Sequence, residues 1–253
     1  MLLSVIIPAF NEEKFLEGTL TRLETAINEN NSDGFTWEII VCDNNSTDGT
    51  SDLAERLGAR VVVEPHNQIA KARNRGASVA RGKWLLFLDA DSYPSVKLLS
   101  ETLTIIESNQ YVGCGTTVKV KGGTVFNKLR MERLNPLFRL FNWSGGAYLL
   151  CRVDAFQALG GFSQDLYAYE EVDFVIRLKR YGRLQNQKFT VLHRYPVVTS
   201  GRKGEYRLSV IFTLFISNFL AIFFFGLHFL LPRSLRAKVR PGRLLDYWYR
   251  GRE

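Results

Sequence analysis

Residues 69–91 read IAKARNRGASVARGKWLLFLDAD. Ala70, Ala77 and Ala80 share the apolar side of a helix predicted over Ile69–Arg81. Trp84–Leu88 is then a short, unbroken apolar run, as expected of a strand buried on both faces, and it runs directly into Asp89-Ala90-Asp91. A helix, a short link and a buried strand ending in carboxylates is half of a parallel β-α-β unit. Upstream, the same alternation recurs. Leu2–Pro8 is a first apolar strand, and Asn11 is placed to cap a helix over Glu12–Asn28 carrying Phe15, Leu16, Leu20 and Leu23. Trp37–Asp43 is a second strand, followed by the turn-rich NNSTDGT and a helix with Leu53, Ala54 and Leu57; Arg60–Glu64 is a third. The predicted architecture is α/β, a doubly wound and mostly parallel sheet.

Right-handed crossovers place functional residues at the carboxyl ends of such strands. Asp43 ends strand two, Asp89 and Asp91 follow strand four, and Pro8–Asn11 closes strand one, so all are expected to line one crevice. A dehydrogenase-type dinucleotide site needs a glycine-rich turn after strand one, and PAFNEE has no glycine. Carboxylates at i and i+2 are hard oxygen donors suited to Mg²⁺ or Mn²⁺, which share coordination with waters and substrate phosphates. The alternative is a pair of solvated strand-end aspartates.

The 253 residues are 46% hydrophobic and 23% charged, which excludes a largely disordered or fibrous chain. The net charge of +8 is concentrated: beyond Pro232, seven Lys/Arg stand against Asp246 and Glu253, so this tail supplies +5. The mildly basic remainder argues against a dedicated nucleic-acid binder. Cys42, Cys114 and Cys151 form no CxxC pair and read as buried free thiols of a reducing compartment. MLLSVIIPAF lacks a basic leader region and reads as a strand, not a signal peptide. Leu208–Leu231, LSVIFTLFISNFLAIFFFGLHFLL, has 24 residues without a formal charge. As a helix it is about 36 Å long, enough to cross a hydrocarbon core of about 30 Å. Its phenylalanines leave no polar face, which favours membrane contact over a core helix. A full crossing would send the basic tail outward from a cytosolic body, against the positive-inside bias; an interfacial helix keeps both basic flanks on the anionic face. Both geometries remain open. The chain thus divides into residues 1–204, a hydrophobic segment 205–231 and a basic tail 232–253.

VIIPAFNEE, VCDNNSTDGT and AKARNRGASVARGKWLLFLDADS, in this order, resemble the N-terminal half of a family 2 glycosyltransferase with the GT-A fold. WSGGAYLLCRVDAF, LGGF, YEEVDFVIRLKRYG and VLHRYPVVTSGRK are similar to that family's acceptor-side half, extending the resemblance over residues 2 to about 204. The resemblance implies an inverting, metal-dependent transfer of a sugar from a nucleotide-diphosphate donor, UDP- or GDP-linked. The acceptor would be a hydroxyl or phosphate, lipid-linked or on a polysaccharide, at the cytosolic membrane face. It implies that Pro8, Ala9, Phe10 and Glu12 wall the nucleotide pocket and that Asp43 hydrogen-bonds the base. Asp91 would hold Mg²⁺ or Mn²⁺, with Asp89 on the ribose or a metal-bound water and His193 as a further ligand. Arg73 would meet the diphosphate, its alternative being a solvated helix arginine. Arg202, with Lys203, would close over the diphosphate or touch lipid phosphate. Gly145 and Gly146 would give close approach at the acceptor cleft. The family's catalytic base is the second residue of a Glu-Asp pair at a helix start. Here the pair is Glu170-Glu171, which points to Glu171, with Glu170 and Asp173 as runners-up. Two alternatives are a membrane-anchored nucleotide-sugar-binding module without catalysis and a sugar nucleotidyltransferase, though the latter would want a glycine-rich basic loop after strand one.

Overall fold

The computed structural model describes residues 2–30, 35–123, 125, 129, 132, 135, 136, 139–142, 144–166 and 170–201. The hydrophobic segment, the basic tail, Arg202 and Lys203 lie outside the described residues. Strand β1 (Leu2–Ala9) is central, flanked by the parallel strands β2 (Thr36–Asp43) on one edge and β4 (Trp84–Leu88) on the other, and helices cover both of its faces. The described elements run β1, α1 (Glu13–Glu29), β2, α2 (Thr50–Arg56), β3 (Arg60–Val63), α3 (Ile69–Ser78), β4, β5 (Ser92–Tyr93) and α4 (Val96–Glu107), continuing with β6 (Tyr111–Lys121), β7 (Tyr148–Arg152), α5 (Val153–Ala158), α6 (Glu170–Leu184) and β8 (Lys188–Ser200). They form one eight-stranded sheet in the order β3-β2-β1-β4-β7-β6-β8-β5. Parallel pairing joins β3, β2, β1 and β4, and again β6 and β8; β7 is antiparallel to both neighbours, as β5 is to β8. The sheet is thus mixed, with the parallel half where the alternation predicts it. The chain steps outward from β1 to β3 and then returns to β4 beyond β1, so the crevice opens at the switch point between β1 and β4.

Each face of the sheet carries its own core. Leu3, Val5 and Ile7 of β1 pack with Leu16, Leu20 and Leu23 of α1 and with Leu98 and Ile106 of α4. On the other face, Ile6, Leu85 and Phe87 pack with Ala70, Phe156, Phe162 and Phe174, uniting α3, α5 and α6. Helix α3 seats closely because residue 76 is glycine: a Cβ there would lie 2.5 Å from Ile6 Cγ2. All three cysteines are buried and free.

Two local expectations are corrected. Asn11 does not cap the first helix; it takes a left-handed conformation (φ 53°) and joins the loop after β2. Its Oδ1 accepts from the Thr47 amide at 2.8 Å, and its own amide donates to Ser46 Oγ at 3.0 Å. The amides opening α1 are met by the same loop, Glu12 N by Thr50 Oγ1 (2.9 Å) and Glu13 N by Asp48 Oδ2 (3.3 Å), so a distant turn does the work of a local cap. Helix α3 ends at Ser78, not Arg81. The amides of Arg81 and Gly82 are taken instead by Glu38 Oε1 (2.6 Å) and Ser4 Oγ (2.8 Å).

Candidate active site

Arg73 is neither solvated nor simply open toward a ligand: it is the buried hub of the crevice. Its Nη1 donates to Glu170 Oε1 at 2.6 Å and its Nη2 to Asp89 Oδ1 at 3.2 Å, with side chains of Arg73 and Glu170 only 2% and 3% exposed. Nη2 also donates to the Gly146 carbonyl at 3.4 Å, and the Phe162 ring lies 5.3 Å from the guanidinium carbon. The fork of the guanidinium thus ties α3 to the end of β4, the 144–147 turn and the first residue of α6. Gly146 belongs to this cradle, since a Cβ there would stand 2.1 Å from Arg73 Nη2. At Gly145 a Cβ would meet nothing within 4 Å, so that side of the turn is open.

The electrostatics follow from one cation serving several carboxylates. Glu170, Asp89 and Glu171 all hold the Arg73 guanidinium protonated against its burial. Burial first, then the charge of Glu171, pushes the Glu170 carboxyl up to about 8 despite the pull of Arg73. The folded state therefore keeps a proton that the unfolded chain, with a carboxyl near 4.5, releases. This contribution to stability is complete below about 4.5 and is lost as pH rises through about 8. Thermal unfolding of the native chain should fall more steeply over that window than that of Glu170→Gln; parallel pH profiles of the two proteins would contradict the assignment.

Asp91 is buried and held from the far edge of the sheet. Ser200 Oγ donates to Asp91 Oδ2 at 2.6 Å and Thr199 Oγ1 to Oδ1 at 3.3 Å, while the Ser200 amide donates to the Asp91 carbonyl. Thr19 of α1 fixes the intervening turn by donating to the Ala90 carbonyl at 2.6 Å. The sequence offers no period or spacing that marks Thr19, Thr199 or Ser200, although the last two sit in the quoted TSGRK. His193 is exposed on β8, six residues before Thr199, within a bulge that sets His193–Pro196 opposite Thr117. Among the described residues no three His, Cys, Asp or Glu side chains gather as a metal site, so His193 does not complete one with Asp89 and Asp91. Two hard carboxylates, one oriented by hydroxyls, suit an ion that takes its other ligands from water and substrate phosphate.

At the other wall, the Asn44 amide donates to the Ala9 carbonyl at 2.7 Å, joining the ends of β1 and β2 beside Phe10 and the buried Glu12. Asp43 also serves the loop, accepting from the Ser46 amide (2.9 Å) and Ser51 Oγ (2.6 Å). Each of its oxygens keeps a further lone pair for a ligand donor. The Asn44 side chain donates to the carbonyls of Glu64 and His66 and so ties the end of β2 to the segment after β3.

Helix α6 sorts its first-turn carboxylates by what they touch. Glu170 is locked to Arg73. Asp173 pairs with Arg177 at 2.7 Å, and Arg177 also donates to the carbonyls of Leu159 and Gly161. Glu171 is partly exposed in that turn and shares a hydrogen bond with the Glu170 carboxyl.

The sequence profile described as "Glycosyl transferase family 2" matches residues 4–169. The chain is 30% identical over 113 residues to an Escherichia coli protein named UDP-Glc:alpha-D-GlcNAc-diphosphoundecaprenol beta-1,3-glucosyltransferase WfaP, covering 43% of each. Among solved structures it is similar to S. aureus TarS 1-349 in complex with UDP-GlcNAc, with a TM-score of 0.61 at 22% identity over 81% of this chain and 60% of that one. A mannosyltransferase from Pyrobaculum calidifontis in complex with GDP-Man and Mn²⁺ superposes with a TM-score of 0.56 at 20% identity, covering 78% and 56%. These structural likenesses establish a GT-A fold. The matched regions span about a third to two thirds of the length of the curated relatives.

Proposed function

Because this chain belongs to glycosyl transferase family 2, we propose that it moves a sugar, with inversion, from a nucleotide-diphosphate donor to an acceptor hydroxyl or phosphate. The observation that carries this reading is the Arg73 hub, which fastens the Asp89–Asp91 turn and the helix bearing Glu171 into one rigid crevice. The nucleobase lies against Pro8, Ala9, Phe10 and Glu12, with Asp43 accepting a base N–H. Asp91, with Asp89, would hold Mg²⁺ or Mn²⁺, which when bound offsets the charge building on the departing diphosphate. Glu171 takes the acceptor proton as that oxygen attacks the anomeric carbon; the new C–O bond forms as the bond to the diphosphate breaks and the nucleoside diphosphate leaves. Arg202 serves the diphosphate from the segment after β8.

The donor of one relative is named as UDP-Glc and its acceptor as diphosphoundecaprenol-linked, which supports a UDP- or GDP-linked donor and a lipid-linked acceptor here. Among the described residues no helix is long and apolar enough to cross a membrane; the proposed anchor, 208–231, lies outside them. We place the enzyme at the cytosolic membrane face on the strength of that uncharged segment and its basic flanks.

Thermal unfolding with a panel of nucleoside diphosphates, with and without Mn²⁺, tests the donor site. A ligand at about 100 times its Kd adds roughly 2.7 kcal/mol, or about 5–11 °C for a chain of this size. The expected result is a Mn²⁺-dependent shift with one nucleotide that Asp91→Asn abolishes. A shift unchanged by Mn²⁺ and by the substitution would refute the metal role, and no shift with any nucleotide would refute the donor site.

A further inference from the structure

The two aspartates that follow β4 are held in different ways. Asp89 shares its charge with a cation, since Arg73 Nη2 donates to its Oδ1 at 3.2 Å. Asp91, 1% exposed, accepts from two hydroxyls of β8, Ser200 Oγ on Oδ2 at 2.6 Å and Thr199 Oγ1 on Oδ1 at 3.3 Å. A hydroxyl fixes a carboxylate without cancelling its charge, and each oxygen keeps a further lone pair after accepting one such bond. Asp91 is thus oriented by neutral groups that leave room for a cation.

The hydroxyls are themselves fixed by the sheet. β8 runs between β6 and β5, so Thr199 stands opposite Val120 on one side and Ser92 on the other, and Ser200 stands opposite Lys121. The Ser200 amide donates to the Asp91 carbonyl at 3.1 Å, so backbone and side chain of Ser200 hold the same residue. One residue on, the Gly201 amide donates to the Lys121 carbonyl at 2.9 Å. A Cβ on Gly201 would lie 2.5 Å from the Gly122 carbonyl carbon, so this strand end seats backbone against backbone. From α1, Thr19 donates to the Ala90 carbonyl at 2.6 Å. The backbone of the turn is pinned from α1 and its second carboxylate from β8. That second clamp matters because the last torsion of an aspartate is broad, and nothing local to the turn selects one orientation.

We propose that Thr199 and Ser200 are positioning residues for the metal of the donor site, holding the Asp91 carboxylate in the orientation that Mg²⁺ or Mn²⁺ binds. Mg²⁺ demands near-octahedral ligands, so a carboxylate already in place saves the ordering that a free one would need. Hydrogen-bond partners behind a metal ligand are typically worth about 10–100-fold in metal affinity. This role presupposes the reading of Asp91 as the metal ligand and adds to it two residues more than 100 positions away in the chain.

The test measures Mn²⁺ binding to the full chain from loss of the free-ion electron paramagnetic resonance signal, alone and with UDP or GDP, against protein-free blanks. Ser200→Ala is expected to weaken Mn²⁺ binding about 10–100-fold, and Thr199→Val, which keeps the shape, in the same direction. Ser200→Thr keeps the hydroxyl and is expected to bind Mn²⁺ close to native. Thermal unfolding in EDTA reports the fold separately and is expected to stay near native in all three. If Ser200→Ala does not fold, Thr199→Val carries the comparison. Native affinity in Ser200→Ala and Thr199→Val, with Mn²⁺ lost in Asp91→Asn, overturns the positioning role alone. Equal losses in Ser200→Ala and Ser200→Thr overturn it too, since the hydroxyl would then be irrelevant. So does a loss matched by a comparable fall in metal-free stability, which would mark a general loosening of the fold. Mn²⁺ bound equally by the native chain and Asp91→Asn, or by neither, overturns the metal reading of Asp91 itself and the positioning role with it.

Discussion

Glu171→Gln is expected to lower sugar transfer about 10²–10⁴-fold while leaving nucleotide binding and thermal stability close to native. The amide keeps the size of the carboxylate but cannot accept the acceptor proton. The other acids of the same turn cannot substitute for it, because each is already engaged: Glu170 in the buried pair with Arg73 and Asp173 with Arg177. The start of α6 also favours a negative charge at this position, since the first-turn amides carry the positive end of the helix dipole. Turnover of a labelled donor over a panel of acceptors is the measurement. If Glu171→Gln kept full activity, the proton would have to go elsewhere, and Glu170→Gln becomes the next protein to assay. Nucleotide binding with no turnover in the native protein as well would indicate a binding module.

The parallel half of the fold was legible because its signals are local. Buried strands such as Trp84–Leu88 are continuous apolar runs, and the topology rule then carries Asp43, Asp89 and Asp91 to one crevice without any contact being known. In the structure β2, β1 and β4 are adjacent and parallel, so Asp43 and the Asp89–Asp91 turn follow strands that end on the same side of the sheet. What the sequence could not show depends on residues far apart in the chain. Nothing near Arg73 announces a partner 97 positions away, so a solvated arginine and a phosphate ligand were the natural choices, and the buried hub was not. For the same reason Gly146 read as an acceptor-side glycine, though its missing Cβ makes room for the guanidinium. His193 illustrates the opposite hazard. Its type and its place after a strand suggested a ligand, but the bulge in β8 and the separation from Thr199 are properties of register, which composition does not encode. Asn11 failed as a helix cap because a loop 35 positions away supplied the same hydrogen bonds.

Arg73→Ala should destabilise the protein by about 3–5 kcal/mol, because it strands Glu170 in the interior and removes the partner of Asp89. For a domain of this size that is roughly 6–20 °C in melting temperature. Arg73→Lys should recover only part of the loss, since an ammonium is a point charge and cannot reach two carboxylates and the Gly146 carbonyl in one planar fork. The informative protein is the double variant Arg73→Met/Glu170→Leu. Replacing both members of the buried pair with apolar groups of similar volume removes the desolvation cost along with the attraction, so stability should return to near native. Sugar transfer should not return with it. Asp89 would no longer share an anchor with the helix that carries Glu171, and a small displacement of either is enough to spoil alignment of donor and acceptor. Calorimetry and turnover on the same preparations separate the two contributions. A double variant both stable and fully active would mean that the hub only fills space, and that the crevice is aligned by the sheet alone.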